Sequence, residues 1–158
     1  MSKLTHFDKD GAARMVDVSG KDETQREAMA AGRVVMEAGT LRRILDRTIE
    51  KGDVLGIARV AGIMAAKRTS ELVPLCHPVG ISSADVAFEI DEQGPFVNII
   101  ATVRCTGRTG VEMEALAAVA VAGLTIYDMC KAVDRAMTVT DIRLLKKTGG
   151  KSGTYERK

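Results

Sequence analysis

Apolar residues recur along this chain first at helical spacing, then at strand spacing, then at helical spacing again. Leu41, Ile44, Leu45 and Ile49 share one face behind Thr40, a capping residue, and the run stops at Lys51-Gly52. Asp53 is placed to cap a second helix running to about Glu71, with Val54, Ile57, Ala61, Met64 and Ala65, and Pro74 ends it. Gly56 and Gly62 inside that helix cost stability, which predicts close packing against a neighbour. The period then becomes two. Val86, Phe88 and Ile90 alternate with Asp85, Ala87 and Glu89, Asp91-Glu-Gln-Gly94 turns the chain, and Phe96 to Cys105 returns as a strand. A long helix is expected from about Val111 to Arg135, and a last strand from Thr138 to Lys147.

The N-terminal third is less decided. Arg14 to Ser19 reads as a short strand into Gly20. Thr24-Gln-Arg-Glu27 fits a capping box and suggests a helix, whereas the Val-Val ending of AMAAGRVVME favours a strand. If residues 24–37 form a strand, the order is strand, helices, strand, strand, helix, strand. That is the α+β, ferredoxin-like (βαββαβ) arrangement, an antiparallel sheet with helices on one face. Residues 1–13 read as a flexible tail, 14–153 as a single domain, and 154–158 as a C-terminal tail.

Composition narrows the function classes. Lys and Arg number 23 against 21 Asp and Glu, leaving +2, which argues against a protein that coats a polyanion. Aromatic residues are only 3% of the 158, too few for a base-stacking platform, so no nucleic-acid partner is expected. The core must come from Ala, Val, Leu, Ile and Met, which pack closely, and oligomerisation is a natural supplement. Cys76, Cys105 and Cys130 are odd in number and lack a CxxC pair, so neither a disulfide framework nor a zinc knuckle is indicated, and a reducing cytoplasm fits. The N-terminal residues lack the apolar run of a signal peptide, and no uncharged stretch approaches a membrane span, so no membrane partner is expected.

The candidate chemistry gathers in three places. Residues 115–126, ALAAVAVAGLTI, are apolar all round, predicting a helix buried on most sides. Asp128 and Lys131 share a face, and at about 100° per residue that face also carries Glu114 and Met113. Two readings stand: a structural pair where the helix re-emerges into water, or an acid/base pair tuned by burial. Glu112 closes a capping box with Thr109, or serves a ligand. In Leu75-Cys-His-Pro78 adjacent side chains diverge, so metal ligation is not expected, and His77 suits either a structural or a proton-transfer role. Lys51, Lys67, Arg68, Arg104, Arg108, Lys147 and Lys151 are dispersed cations. Only Lys147-Thr-Gly-Gly-Lys-Ser-Gly153 sets amides beside ammonium groups in a way that suits phosphate. It is not a P-loop, because the earlier glycine would fall at Leu145 and no helix follows.

Six strings together resemble the cyclic pyranopterin monophosphate synthase family, also called molybdenum cofactor biosynthesis protein C. They are Lys51-Gly-Asp-Val54, Ala65-Ala-Lys-Arg68, Pro74-Leu-Cys-His-Pro78, Thr109-Gly-Val-Glu-Met-Glu-Ala-Leu116, Leu124-Thr-Ile-Tyr-Asp-Met-Cys-Lys-Ala132 and Lys147 to Gly153. The likeness runs from about Met15 to Gly153. The resemblance implies a ferredoxin-like fold, with residues 24–37 as a strand. It implies a lyase that converts 3′,8-cyclo-7,8-dihydroguanosine triphosphate to cyclic pyranopterin monophosphate and releases pyrophosphate, with no cofactor and no metal. It further implies a homohexamer, a trimer of dimers, with active sites at the dimer interface. Asp128 and Lys131 would then be the proton-transfer pair, and Lys51, Lys67, Lys147 and Lys151 would bind substrate, the first and last two through its phosphates. Leu75, Cys76, His77, Glu112, Met113 and Glu114 would line the base and sugar pocket. A nucleotide-sensing module would need the phosphate contacts but not the acid/base pair. An RNA-recognition module would need rings on its inner strands, and Phe96 is the only one in the return strand.

Overall fold

The computed structural model describes residues 11–158; the expected flexible tail lies mostly outside them. Nine elements follow in order: β1 (Thr24–Val35), α1 (Ala38–Leu45), α2 (Val54–Lys67), α3 (Thr69–Leu72), β2 (Ile81–Asp91), β3 (Phe96–Gly107), α4 (Glu112–Cys130), β4 (Thr138–Thr148) and β5 (Tyr155–Glu156). The strands form one antiparallel sheet in the order β2-β3-β1-β4-β5, with α4 packed on β1, β3 and β4, and α2 packed on α4 and β2. Without β5 this is the expected ferredoxin-like arrangement.

Residues 24–35 are strand, so Thr24-Gln-Arg-Glu27 is not a helix start. The twelve-residue pairing with β3, from Thr24↔Gly107 to Val35↔Phe96, outweighs one local cap. Alternation along β3 sends Val97, Ile99, Ala101, Val103 and Cys105 into the core. They meet Ala115, Ala118, Val119, Ala122 and Ile126 of α4. At Gly62 the two helices nearly touch: a Cβ there would lie 2.9 Å from the Ala118 carbonyl oxygen and 3.4 Å from the Ala122 Cβ. Gly56 has another cause, since its nearest neighbour is Asp53, whose carboxylate accepts the Gly56 N–H at 3.0 Å.

Several boundaries move. Residues 14–18 form no strand. The first helix begins at Ala38, not after Thr40, because its cap comes from far away in sequence. Buried Asp134 accepts the Glu37 N–H at 2.9 Å and the Thr40 hydroxyl at 3.3 Å. That helix stops at Leu45 rather than Lys51, and Arg47 adopts a left-handed conformation. The second helix breaks at Arg68 into α2 and α3, and the long helix ends at Cys130, not Arg135. Residues 155–156 are not a loose tail but pair with Lys146 and Lys147.

By length and composition α4 is apolar enough to span a membrane, yet α2 and the sheet cover one side of it as they would a core helix. The expectation of burial on most sides fails within one protomer. Leu124 is 59% exposed, Met113 is exposed, and on α2 Ile57, Val60 and Met64 stand out at helical spacing. The outer surface of the helix layer is thus apolar.

Candidate functional site

The register places the chemistry at opposite ends of α4. Its N-terminal end lies where β1 begins and β3 and β4 finish; its C-terminal end lies near the Val35–Phe96 and Val35–Thr138 pairs. Fourteen residues separate Glu114 from Asp128, a rise of about 21 Å.

Two cavities open at the N-terminal end. One, of about 460 Å³, is lined by Leu75, Cys76, His77, Met113, Glu114, Val73, Val79 and the Val16–Val18 segment. The other, of about 730 Å³, is lined by Lys21, Arg26, Arg108, Lys147 and Lys151, by Asp22, Glu27 and Glu112, and by Gly149 to Ser152. Lys21, Thr109, Gly110 and Glu112 border both, so the two adjoin.

Glu114 is 4% exposed, and burial raises its pKa above the ordinary 4.5, the charge of Glu112 adding to the effect while a backbone hydrogen bond opposes it. A carboxyl in this setting is suited to holding and delivering a proton. Burial, then Glu114, also raises the Cys76 thiol above its ordinary 9.0, which disfavours the thiolate. Burial pushes Cys130 up to about 11. The His77 Nε2–H donates to the Val16 carbonyl at 2.6 Å, which fastens the N-terminal segment across this pocket. Glu112 makes no capping box: Val111 caps α4 without a side-chain hydrogen bond, and it is the Glu114 carboxylate that accepts from its own backbone N–H in the first turn. Its carboxylate stands between the cavities.

In the cationic cavity, Glu27 is turned to Arg104 at 2.5 Å, and Lys147 donates to the Ser152 hydroxyl. The buried Thr24 hydroxyl oxygen in its wall has no hydrogen-bond partner among the described protein atoms.

At the other end of α4, Asp128 bonds Lys131 at 2.6 Å and Lys51 at 2.8 Å, and Lys51 also donates to the Asp128 carbonyl at 2.9 Å. The three side chains are about half exposed, not buried as the acid/base reading expects, because the helix has already left the core. The hydrogen bonds from Lys131 and then Lys51 hold the Asp128 carboxyl down at about 2, so it stands as an anion that orients two ammonium groups. Glu114 and Asp128 lie on nearby helix faces but do not meet.

Of the predicted residues, Leu75, Cys76, His77, Glu112, Met113, Glu114, Lys147 and Lys151 come together at one end, and Lys51, Asp128 and Lys131 at the other. Lys67 is exposed at the end of α2 and lines neither cavity. Sequence reasoning missed Lys21, Thr24 and Arg26. The signal was there once 24–35 is a strand: Thr24 and Arg26 share the face of Ala28 and Ala30, which are buried against the helices.

Comparison with known proteins bears on the same residues. The chain is 62% identical over 157 residues to the cyclic pyranopterin monophosphate synthase of Heliobacterium modesticaldum, covering 99% of both chains. It is 60% identical over 154 residues to that of Thermoanaerobacter sp. strain X514, covering 98% of both. Against the Rhodospirillum rubrum protein of the same name it is 62% identical over 152 residues, 96% of this chain and 92% of the other. The sequence profile of the MoaC family matches residues 15–150, a span that includes β1 to β4, both cavities' principal walls and the Lys51–Asp128–Lys131 cluster, and the chain belongs to that family.

Proposed function

We propose that this chain is a cyclic pyranopterin monophosphate synthase, a phosphorus–oxygen lyase acting on 3′,8-cyclo-7,8-dihydroguanosine triphosphate in molybdenum cofactor biosynthesis. One observation carries the reading: a largely apolar pocket holding a buried carboxyl adjoins a cavity rich in cations, with Glu112 between them. A nucleotide-derived substrate has that polarity, a heterocycle and sugar at one end and a triphosphate at the other. The base and sugar sit among Leu75, Cys76, His77, Met113 and Glu114. The phosphates sit against Lys147 and Lys151.

The reaction needs proton transfers while the purine opens and recloses as a pterin, which Glu114, Glu112 and His77 are placed to serve. A sugar hydroxyl oxygen attacks the α-phosphorus and loses its proton, and the bond to the departing pyrophosphate breaks. The cations stabilise the charge that builds on the leaving oxygens. No step calls for an added cofactor.

The Lys51–Asp128–Lys131 cluster joins this site from a second copy. A two-fold axis across the exposed stripe of α2 and α4 would cover Ile57, Val60, Met64, Met113 and Leu124. Antiparallel α4 helices would then set the C-terminal end of one beside the N-terminal end of the other, completing two sites per dimer. Covering the cluster would supply the burial that one copy lacks. Three such dimers give the hexamer, and free thiols suit a reducing cytoplasm.

The test is to incubate the protein with the cyclic dihydro-GTP intermediate and follow pterin and pyrophosphate together. Stoichiometric appearance of both is expected. Binding of the intermediate without turnover would make the protein a nucleotide sensor instead.

A further inference from the structure

The segment Thr148 to Thr154 is the tip of a hairpin: β5 returns beside β4 so that Tyr155 pairs with Lys147 and Glu156 with Lys146, and the Arg157 N–H donates to the Leu145 carbonyl at 2.8 Å. Rich in glycine, such a tip would sample many conformations if nothing held it. Besides the Lys147–Ser152 hydrogen bond, one side chain from another strand lies against it. Arg26 projects from the start of β1, and its Nε–H donates to the Gly107 carbonyl at the end of β3, 3.2 Å away. Gly149 and Gly150 then lie against the Arg26 side chain. A Cβ on Gly150 would fall on the Nη1, Cζ and Nη2 atoms, and one on Gly149 would strike the Gln25 carbonyl oxygen and come within 3.1 Å of the Arg26 Cδ. Both glycines have positive φ, +90° and +72°, which other residues rarely adopt; at Gly149 the Gln25 backbone also closes the space, and at Gly150 a side chain would have to displace the Arg26 guanidinium. Lys147 precedes this contact and Lys151 follows it, and both line the same cavity as Arg26.

We propose that Arg26 is a positioning residue for the phosphate-binding hairpin: clamped between Gly107 and the Gly149–Gly150 turn, it fixes Lys147 and Lys151 on either side of one diphosphate group. Identification of that anion as the reaction's pyrophosphate portion rests on the proposed function; the clamp rests on the contacts alone. A planar, forked guanidinium can lie beneath a turn and still donate to a carbonyl at its edge. A lysine ammonium in its place keeps the charge and loses the surface. Fixing the loop beforehand removes the ordering cost from ligand binding, so the benefit appears as affinity. Gathering three cations is unfavourable in the free protein and is offset when an anion enters.

Titration of the full-length protein with inorganic pyrophosphate, beside steady-state kinetics, tests this. Gly150→Ala removes no charged group but its Cβ pushes the Arg26 guanidinium off the turn, and Arg26→Lys conserves the charge. Each is expected to weaken pyrophosphate binding roughly tenfold and to raise KM in parallel, with kcat within about threefold and the melting midpoint near wild type. Wild-type affinity in Gly150→Ala, full rescue by Arg26→Lys, or a wild-type protein with no affinity for pyrophosphate would each overturn the proposal. Wild-type protein that binds pyrophosphate but does not turn over the intermediate would sink the functional reading and leave the clamp standing.

Discussion

The two ends of α4 handle acidic groups in opposite ways. At the N-terminal end Glu114 is enclosed, has no ion-pair partner among the described residues and holds its proton more tightly than a free carboxyl. At the C-terminal end Asp128 is open to water, bonded to two lysines, and ionised down to about pH 2. Desolvation governs one and ion pairing the other. Groups whose proton affinities are driven apart make a division of labour available, a donor at one end and fixed charge at the other. The separation is also what the proposed two-copy site is meant to resolve, since about 21 Å of helix cannot bend to bring the ends together.

The largest expected effect comes from removing the cation at the open end. Lys131→Ala should lower kcat by on the order of 10²–10⁴-fold, the range of a lost acid or base, while circular dichroism and melting stay near wild type because the side chain is half exposed. Near-normal turnover would remove Lys131 from the chemistry. Next is the surface proposed to join the ends. Leu124→Glu places a charge on the exposed stripe, and the expected result is a folded protein of lower mass by light scattering with at least roughly tenfold less activity.

At the closed end the effect is on stability. The folded chain holds a proton on Glu114 that the unfolded chain releases near pH 4.5, so stability from this group is greatest below that value and falls as pH rises through the raised one. Glu114→Gln, neutral throughout, should therefore melt a few degrees higher near pH 8, the gain shrinking towards about pH 4. A uniform gain across pH would show that burial does not burden the carboxylate. The smallest effect is at Asp128. Its pKa is lowered, so the stability it contributes is present above 3.8 and disappears as pH falls through about 2. Because the pair is exposed and screened, Asp128→Asn should barely move the melting midpoint at neutral pH, and added salt should shrink what difference remains.

Local patterns revealed the elements whose reasons are local. The Asp91–Gly94 turn, where the Asp91 carboxylate accepts the Gln93 and Gly94 amides, and the β2–β3 hairpin follow from residues close in sequence. The close helix contact at Gly62 was legible too, since a mid-helix glycine needs a neighbour to justify it. Features with distant causes were hidden. The α1 start depends on Asp134, 94 residues beyond Thr40. The cation-rich cavity includes Arg26, whose inward face is apparent only once β1 is known to be a strand. The exposure of Asp128 and Lys131 was invisible because an all-apolar helix reads as buried whether its outer face meets its own chain or another copy. Motif strings located most of the site's residues without showing that they divide between two ends.

Mixing two inactive variants tests that division most directly. Glu112→Gln damages the N-terminal end and Lys131→Ala the C-terminal end; unfolded together and refolded, half of the dimers should be mixed, each with one intact composite site. The predicted result is recovery of about a quarter of wild-type activity from two preparations that are inactive alone. No recovery, with mixed oligomers confirmed by mass spectrometry, would contradict a site shared between the two ends of α4 in different copies.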